Sequence, residues 1–117
     1  MNNRNFTRVN YSVGASITYG DNVVMCNTDN VSLRGMYLKT DHHVPMHTPV
    51  NITVYHSSHS SFKFNANVVR KEANGVGLQI NNLNATSFVQ LRDIVALNSI
   101  DSEKVMLETF KMLGCIQ

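Results

Sequence analysis

The sequence predicts a mainly β domain of about six short antiparallel strands, forming a barrel or a sandwich and followed by one or two helices. Before Leu83, apolar and polar residues alternate with a period of two in several runs, which is the pattern of half-buried strands. Turn-forming residues separate these runs. After Leu83 the apolar residues recur at the helical spacing.

The chain divides into a polar leader and a folded body. Residues 1–10 are polar and basic, with Phe6 as their one large apolar side chain, and we interpret them as a flexible N-terminal arm. Residues 11–117 hold the strands and helices. Strands are predicted where apolar residues alternate with polar ones or run together, at residues 12–19, 23–26, 36–40, 50–55, 62–70 and 76–80.

Turn-forming residues predict the connections between the strands. Gly20-Asp21-Asn22 supplies the first turn. Asn74-Gly75 favours a type I′ hairpin turn, because both residues tolerate a positive φ. Longer polar stretches predict loops at residues 27–35, 41–49 and 56–61.

Two amphipathic runs predict the helices. Asn84 or Thr86 is a suitable N-cap for the first, and Asp101 or Ser102 for the second, which Gly114 can end. The residues expected to face inward are Phe88, Leu91, Ile94 and Val95 in the first helix and Val105, Met106, Phe110 and Leu113 in the second. The sequence leaves open whether the second helix packs on the barrel or on another subunit.

The composition indicates one globular domain. The chain has 117 residues, 43% hydrophobic and 15% charged, which excludes a disordered charged tail. The net charge of +2 is too weak to demand a nucleic-acid partner. No apolar run approaches the ~20 residues that span a bilayer, and the N-terminus does not have the apolar segment of a secretory signal. A cytoplasmic location is therefore expected.

Other chemistries are weighed and not favoured. Cys26 and Cys115 are expected to be reduced thiols, with Cys26 buried in a strand. The spacing H-H-x-x-x-H at residues 42–47 brings imidazoles together without the cysteines or glutamates that would complete a metal site. No nucleophile elbow supports catalysis, and residues 75–77 are too short for a phosphate loop. The sequence therefore predicts neither a metal site nor an enzyme.

Two arginines stand four residues apart in the arm, as Arg4-Asn5-Phe6-Thr7-Arg8. A guanidinium group is a permanently charged planar fork that grips a phosphate, or guanine O6 and N7, with two hydrogen bonds. In an extended arm the two side chains leave the same face about 13 Å apart, and on a helix they would be neighbours. Both geometries permit a shared anion, although the spacing also fits a solvated basic arm.

A second polar motif follows as Asn30-Val31-Ser32-Leu33-Arg34-Gly35. Asn30 offers a carbonyl and an amide group, and the hydroxyl of Ser32 can donate or accept. Gly35 permits close backbone approach or a positive φ. These are also ordinary turn residues, so the motif alone is compatible with a plain loop closure.

Together, and in this order, the two motifs resemble the signature of the PilZ family, in which R-x-x-x-R precedes a barrel and [D/N]-x-S-x-x-G follows on its surface. Arg8 and Asn30 lie 22 residues apart. The resemblance extends over residues 4–97, including Val68-Val69-Arg70 and residues 75–80, which are similar to the late barrel hairpin of the family. It implies a six-stranded antiparallel β-barrel with C-terminal helices.

The resemblance also implies a function, because PilZ domains bind the bacterial second messenger cyclic di-GMP without chemistry on it. By this resemblance Arg4 and Arg8 would clasp phosphate and the Hoogsteen edge of guanine. Asn30 and Ser32 would bond guanine edges or phosphate, and Gly35 would shape the turn. No cofactor is expected beside the messenger itself.

Three further positions refine the expectation. Asn30 replaces the commoner aspartate and loses the charge-assisted acceptance that a carboxylate gives to guanine N–H groups. Asn3 stands where many relatives carry a basic residue, which favours one ligand molecule per site. Arg34, inside the second motif, and Arg70, at the end of a strand, are secondary ligand-binding candidates; a solvated loop charge is the alternative interpretation of Arg34.

The expected mechanism is an ordering of the arm over the ligand, which creates a surface for an unidentified downstream protein. A homodimer through the C-terminal helix is a further expectation, whereas DNA, RNA and a membrane span are not expected. Two alternatives stay open. One is a PilZ-like interaction module that does not bind nucleotide, and the other is a nucleic-acid-binding small barrel, for which a stacking platform is missing.

Overall fold

A computed structural model of the chain describes residues 6–117. Arg4 and Asn3 lie outside the described residues. The described part forms seven strands, two α-helices and a final 3-10 helix. Their bounds are β1 (Val9–Asn10), β2 (Gly14–Tyr19), β3 (Asn22–Val31), β4 (Gly35–Lys39), β5 (Pro49–Ser57), β6 (Ser60–Glu72), β7 (Gly75–Asn82), α1 (Ala85–Asn98), α2 (Ser102–Glu108) and the 3-10 helix (Thr109–Cys115).

The strands close into a six-stranded antiparallel barrel. The order is β3-β2-β5-β6-β7-β4, and β4 pairs back with β3, so that the sheet has no free edge among these six strands. The short strand β1 adds to β3 outside the barrel, with Val9 opposite Val31. The barrel and the helical extension that the sequence predicts are thereby confirmed.

Strand alternation fills the barrel with aliphatic and aromatic side chains. Inward positions such as Ile17, Ile52 and Ile80 are fully buried, and the positions between them face outward. Helix α1 covers the barrel with Leu91 and Val95, which are also fully buried. The first predicted helical face is therefore correct.

The two helix starts are also as predicted. The Asn84 side chain accepts a hydrogen bond from the Ser87 amide at 2.8 Å, and the Asp101 side chain accepts one from the Lys104 amide at 3.1 Å. Each bond satisfies an amide that has no partner inside its helix. Among the described helices none is long and apolar enough to cross a membrane.

The predicted inward face of the second helix is wrong at three of its four positions. Val105 is buried, but Met106, Phe110 and Leu113 are 46%, 68% and 60% exposed. Helix α2 ends after seven residues and the chain continues as a 3-10 helix. The change from 3.6 to about 3 residues per turn shifts which side chains face inward at Phe110 and Leu113, whereas Met106 precedes that change, within α2.

Two predicted connections also differ from the structure. The loop expected at 27–35 begins only after Val31, because β1 and β4 give the end of β3 pairing partners that are distant in sequence. The turn between β6 and β7 lies at residues 73–74, and none of the residues with positive φ is in it, so the type I′ prediction is wrong. The turn predicted at Gly20 is present, and Gly20 has a φ of 56°.

The last residues of the N-terminal arm pair with the barrel. Val9 is buried, and Val9–Asn10 forms β1 on β3. Phe6 packs partly against the core, which gives the arm an apolar contact. The predicted flexibility of the arm stays a prediction.

Candidate functional site

Ser32 organises the loop between β3 and β4. The Ser32 side chain is 3% exposed, and its Oγ accepts hydrogen bonds from the amides of Arg34 and Gly35 at 3.3 and 3.1 Å. The same hydroxyl lies 3.2 Å from the Gly35 carbonyl oxygen, to which it donates. Ser32 therefore shapes this turn from within, as serine does in tight turns.

Gly35 is required by close packing rather than by a positive φ. A Cβ atom there would stand less than 3.0 Å from the carbonyl oxygen of Leu78 on β7. Gly35 pairs with Gln79, so the two strands meet where the loop enters β4. The glycine lets β4 approach β7 closely and holds the loop against the barrel wall.

The loop motif and the arm meet through a side-chain contact. The Arg8 guanidinium donates a hydrogen bond from Nη1 to Oδ1 of Asn30. The Asn30 side-chain amide donates to Oδ2 of Asp29 at 3.4 Å, and Oδ1 of Asp29 forms an ion pair with Lys39 at 3.5 Å. Strand β1 makes this meeting possible, because Asn10 pairs directly with Asn30 and brings the preceding arginine alongside.

An irregularity in β3 sets the direction of Asn30. The pairing of β3 with β4 runs from Thr28 opposite Leu38 to Asn30 opposite Tyr37, so Asp29 is an extra residue in the ladder. Thr28 and Leu38 are both fully buried, whereas Asn30 is half-buried on the outer side. The bulge thus puts Asn30 on the outside of the barrel, where Arg8 reaches it.

A surface cavity of about 290 Å³ lies beside this contact. Three segments enclose it: the arm, the β3–β4 loop and the outer side of β6 and β7. The lining residues are Phe6, Arg8, Ser32, Arg34, Gly35, Val69, Leu78 and Gln79. Arg8 and Arg34 are the charged members of this set, so the cavity wall carries positive charge beside apolar surface, which suits an anionic ligand with a flat ring.

Arg34 is fixed along its stem. Its Nε donates to the carbonyl oxygen of Ile80 at 3.1 Å, and its own carbonyl accepts from the Ile80 amide at 2.7 Å. The side chain is therefore held across the β4–β7 seam and is half-buried. A guanidinium held in this way loses little conformational entropy when it binds a ligand.

The PilZ domain family model matches residues 2–97, which is most of the chain. The chain belongs to the PilZ domain family. No curated protein sequence matches it.

Solved PilZ structures share the fold of this PilZ domain at low sequence identity. The PilZ domain with c-di-GMP of YcgR from Escherichia coli has 17% identity and a TM-score of 0.61, and the match covers 96% of this chain and 100% of that one. The PilZ domain of CeSA from a cellulose-synthesizing bacterium has 16% identity and a TM-score of 0.63, over 75% of this chain and 93% of that one.

A longer protein is also similar. The inhibitor of motility MotI/DgrA of Bacillus subtilis has 12% identity and a TM-score of 0.67, with 81% of this chain covered. The PilZ domain described here spans half the length of that protein. At these identities the structures establish the shared fold.

Arg70, a secondary candidate from the sequence, does not line the cavity of this PilZ domain. Its guanidinium lies 5.4 Å from the centre of the Tyr37 ring, and its Nε is 3.2 Å from Oε2 of Glu72. The Tyr37 hydroxyl donates to the same carboxylate at 3.2 Å. Burial raises the pKa of Tyr37, and Glu72 raises it further.

Register nevertheless places Arg70 in one row with the second motif. Arg70 is opposite Gly77, Gly77 is opposite Tyr37, and Tyr37 is opposite Asn30. Three strand spacings separate Arg70 from Asn30, or about 14 Å. The PilZ domain therefore has the aromatic ring of Tyr37 and the guanidinium of Arg70 on the outer wall near the cavity. Arg70 lies outside the set of residues that line the cavity.

Sequence reasoning missed several residues at the cavity. Val69, Leu78 and Gln79 reach it through the register of β6 and β7, which no local pattern reveals. The lone large apolar residue of the arm, Phe6, was a visible signal, because an apolar side chain in a polar leader needs somewhere to pack.

The histidines of this PilZ domain do not form a cluster within residues 6–117. His43 contacts Lys71, with Nζ 2.7 Å from Nδ1, and His56 contacts Ser60 at 2.8 Å. Within residues 6–117 no group of three metal-binding side chains occurs.

Proposed function

We propose that this PilZ domain is a cytoplasmic receptor for cyclic di-GMP that binds the messenger at the arginine-lined cavity and does no chemistry on it. The solved YcgR domain is described with c-di-GMP, and the family is one of receptors for this messenger. The proposal concerns this chain's own ligand and its own residues.

One observation carries the proposal: Arg8 from the arm and Arg34 from the β3–β4 loop line the same cavity, and Arg8 bonds Asn30. The two motifs are far apart in sequence and meet at one place on the barrel. Two forked cations beside an amide and an apolar wall match a ligand that has two phosphates and two guanine bases.

Each proposed contact has a distinct chemical role. Arg8 grips a phosphate or the O6–N7 edge of guanine, and Arg4 is the second guanidinium of the same motif. Arg34 supplies a second charge from the barrel side. Asn30 hydrogen-bonds a base edge when the ligand lies beside Arg8. Ser32 and Gly35 act chiefly by holding the loop, since the Ser32 hydroxyl is engaged within the turn.

The proposed output is a change in the arm. Contact with the ligand restrains the arm further and alters the surface that a downstream protein meets. The exposed apolar residues Leu97, Leu107 and Phe110 on the C-terminal helices are available for such a protein or for a second copy of the chain.

Isothermal titration calorimetry with cyclic di-GMP tests the ligand. Loss of a charge-assisted contact weakens binding by about 1.5–3 kcal/mol, so Arg8→Ala is expected to bind roughly 10- to 150-fold more weakly. Arg92→Ala is the matched control, because Arg92 lies on α1 and contacts Asp93. Arg8→Ala is expected to melt near the wild-type temperature, since Arg8 is exposed.

The remaining outcomes separate the alternatives. Equal affinity of Arg8→Ala and wild type would contradict the proposed site. Absence of heat with cyclic di-GMP, GMP and single-stranded RNA would favour an interaction module that binds no nucleotide. Salt-sensitive binding of RNA that tolerates changes in sequence would instead indicate a nucleic-acid-binding barrel.

A further inference from the structure

A carboxylate of the C-terminal helical segment holds the arm next to Arg8. Glu108 Oε1 accepts from the Thr7 amide at 2.8 Å, and Oε2 accepts from the Thr7 hydroxyl at 2.7 Å. The two residues are 101 positions apart in the chain. Both carboxylate oxygens are therefore used on one residue of the arm, and that residue directly precedes the arginine of the first motif.

Glu108 occupies a buried position, where an apolar residue would pack more favourably. It is 3% exposed and lies between Val105 and Met112, which are fully buried on the same side of the helical segment. Burial of a carboxylate costs several kcal/mol unless its oxygens are hydrogen-bonded, and here Thr7 provides both bonds. The contact thus accounts for a charged residue in the row that packs on the barrel.

The same helical segment makes a second contact with the arm. The Lys111 ammonium lies 5.4 Å from the centre of the Phe6 ring, and Phe6 lines the cavity. Residues of the 3-10 helix and of α2 thus hold the arm on both sides of the bond between residues 6 and 7. Beyond this point Arg8 bonds Asn30, and Val9 enters β1.

We propose that Glu108 is a positioning residue for the ligand site. By fixing the amide and the hydroxyl of Thr7 it sets where Arg8 stands before the ligand arrives, which lowers the entropy lost on binding. Linkage is reciprocal, so a ligand that holds Arg8 also holds Glu108 and stabilises residues 102–115 on the barrel. This inference rests on the proposed function, because the ligand it concerns is cyclic di-GMP.

Thr7→Val tests the proposal with Thr7→Ser as its matched control. Valine has nearly the shape of threonine, keeps the backbone N–H and removes the hydroxyl bond, whereas serine keeps both bonds. Thr7→Val is expected to bind cyclic di-GMP roughly 5- to 20-fold more weakly in calorimetry, and Thr7→Ser within about twofold of wild type. Glu108→Gln is expected to stay close to wild type, because its carbonyl oxygen accepts from the amide and its NH₂ donates to the hydroxyl.

Amide exchange supplies a readout that a merely structural role would not move. Addition of cyclic di-GMP is expected to slow exchange of residues 105–113 in wild type and to have little effect on them in Thr7→Val. Unchanged affinity of Thr7→Val, or exchange of residues 105–113 that ignores the ligand in wild type, would overturn the proposal.

Failure of the proposed function gives a different result. If wild type does not bind cyclic di-GMP, that function is lost, and the positioning role is decided without ligand. Faster exchange of the amides at residues 7–10 in Thr7→Val than in Thr7→Ser and Glu108→Gln, which keep both contacts, supports a holding contact for the arm. Equal exchange in all three variants rejects it.

Discussion

Gly35→Ala is expected to destabilise the barrel at the point where the β3–β4 loop joins it. The added Cβ would stand less than 3.0 Å from the Leu78 carbonyl oxygen, which belongs to backbone and has no side-chain freedom with which to move away. To restore an ordinary separation of at least 3.4 Å, β4 and β7 must move apart.

The magnitude follows from the cost of overpacking a close-packed site. Such insertions cost about 1–3 kcal/mol, and in a domain of 117 residues this lowers the melting temperature by about 4–12 °C. The displaced strand also carries the loop with Ser32 and Arg34, so the affinity for cyclic di-GMP is expected to fall together with stability.

Gly14→Ala is the control for this experiment. Gly14 also lies in a strand, has no heavy atom within 4 Å of an added Cβ and does not have a positive φ. There the substitution reduces the freedom of the unfolded chain and stabilises by up to about 1 kcal/mol. Thermal unfolding followed by circular dichroism compares the two variants, and equal melting temperatures would refute the packing argument.

Two further predictions concern stability. Asn84→Ala removes the side-chain acceptor at the start of α1 and is expected to lower the free energy of unfolding, measured in urea, by about 1 kcal/mol. Asn22→Ala, at an exposed position, is the control and is expected to leave that free energy unchanged. A loss below roughly 0.3 kcal/mol in Asn84→Ala would contradict the cap. Burial raises the pKa of the Cys26 thiol to about 11 from an ordinary value of 9.0, so the neutral thiol stabilises the fold fully below pH 9 and this contribution is lost as pH rises through 11. Wild type is expected to lose about 2–3 kcal/mol more than Cys26→Ala over that interval, and parallel pH profiles would exclude the thiol as the cause.

Local patterns predicted most of the fold because the barrel is built from regular alternation. The period-2 runs gave six strands, and the caps Asn84 and Asp101 gave both helix starts. The errors arose where pairing or helix type changes. Strand β3 extends to Val31 through partners on β1 and β4, and the switch to a 3-10 helix after Glu108 changed the buried face.

The candidate site was predictable in part for a related reason. Each of its two motifs is a short continuous stretch of sequence, so Arg8 and the Ser32–Gly35 turn could be recognised. The structure places residues of both motifs at one cavity. The wall from β6 and β7 depends on register, which arises from the closed barrel as a whole. Glu108 gave no local signal, because a glutamate in an amphipathic helix normally faces water.

The extra residue in β3 has a consequence for how this domain tolerates changes in chain length. Asp29 has no paired residue on β4, and the alternation of inward and outward side chains resumes at Asn30. Removal of that one residue would close the ladder and leave Asn30 facing the arm. Deletion of Thr28 instead would put Asp29 opposite Leu38, at a position that points into the barrel, and would bury a carboxylate there. A change of one residue in this stretch is thus absorbed at the bulge, and the Asn30 side chain keeps its outward direction.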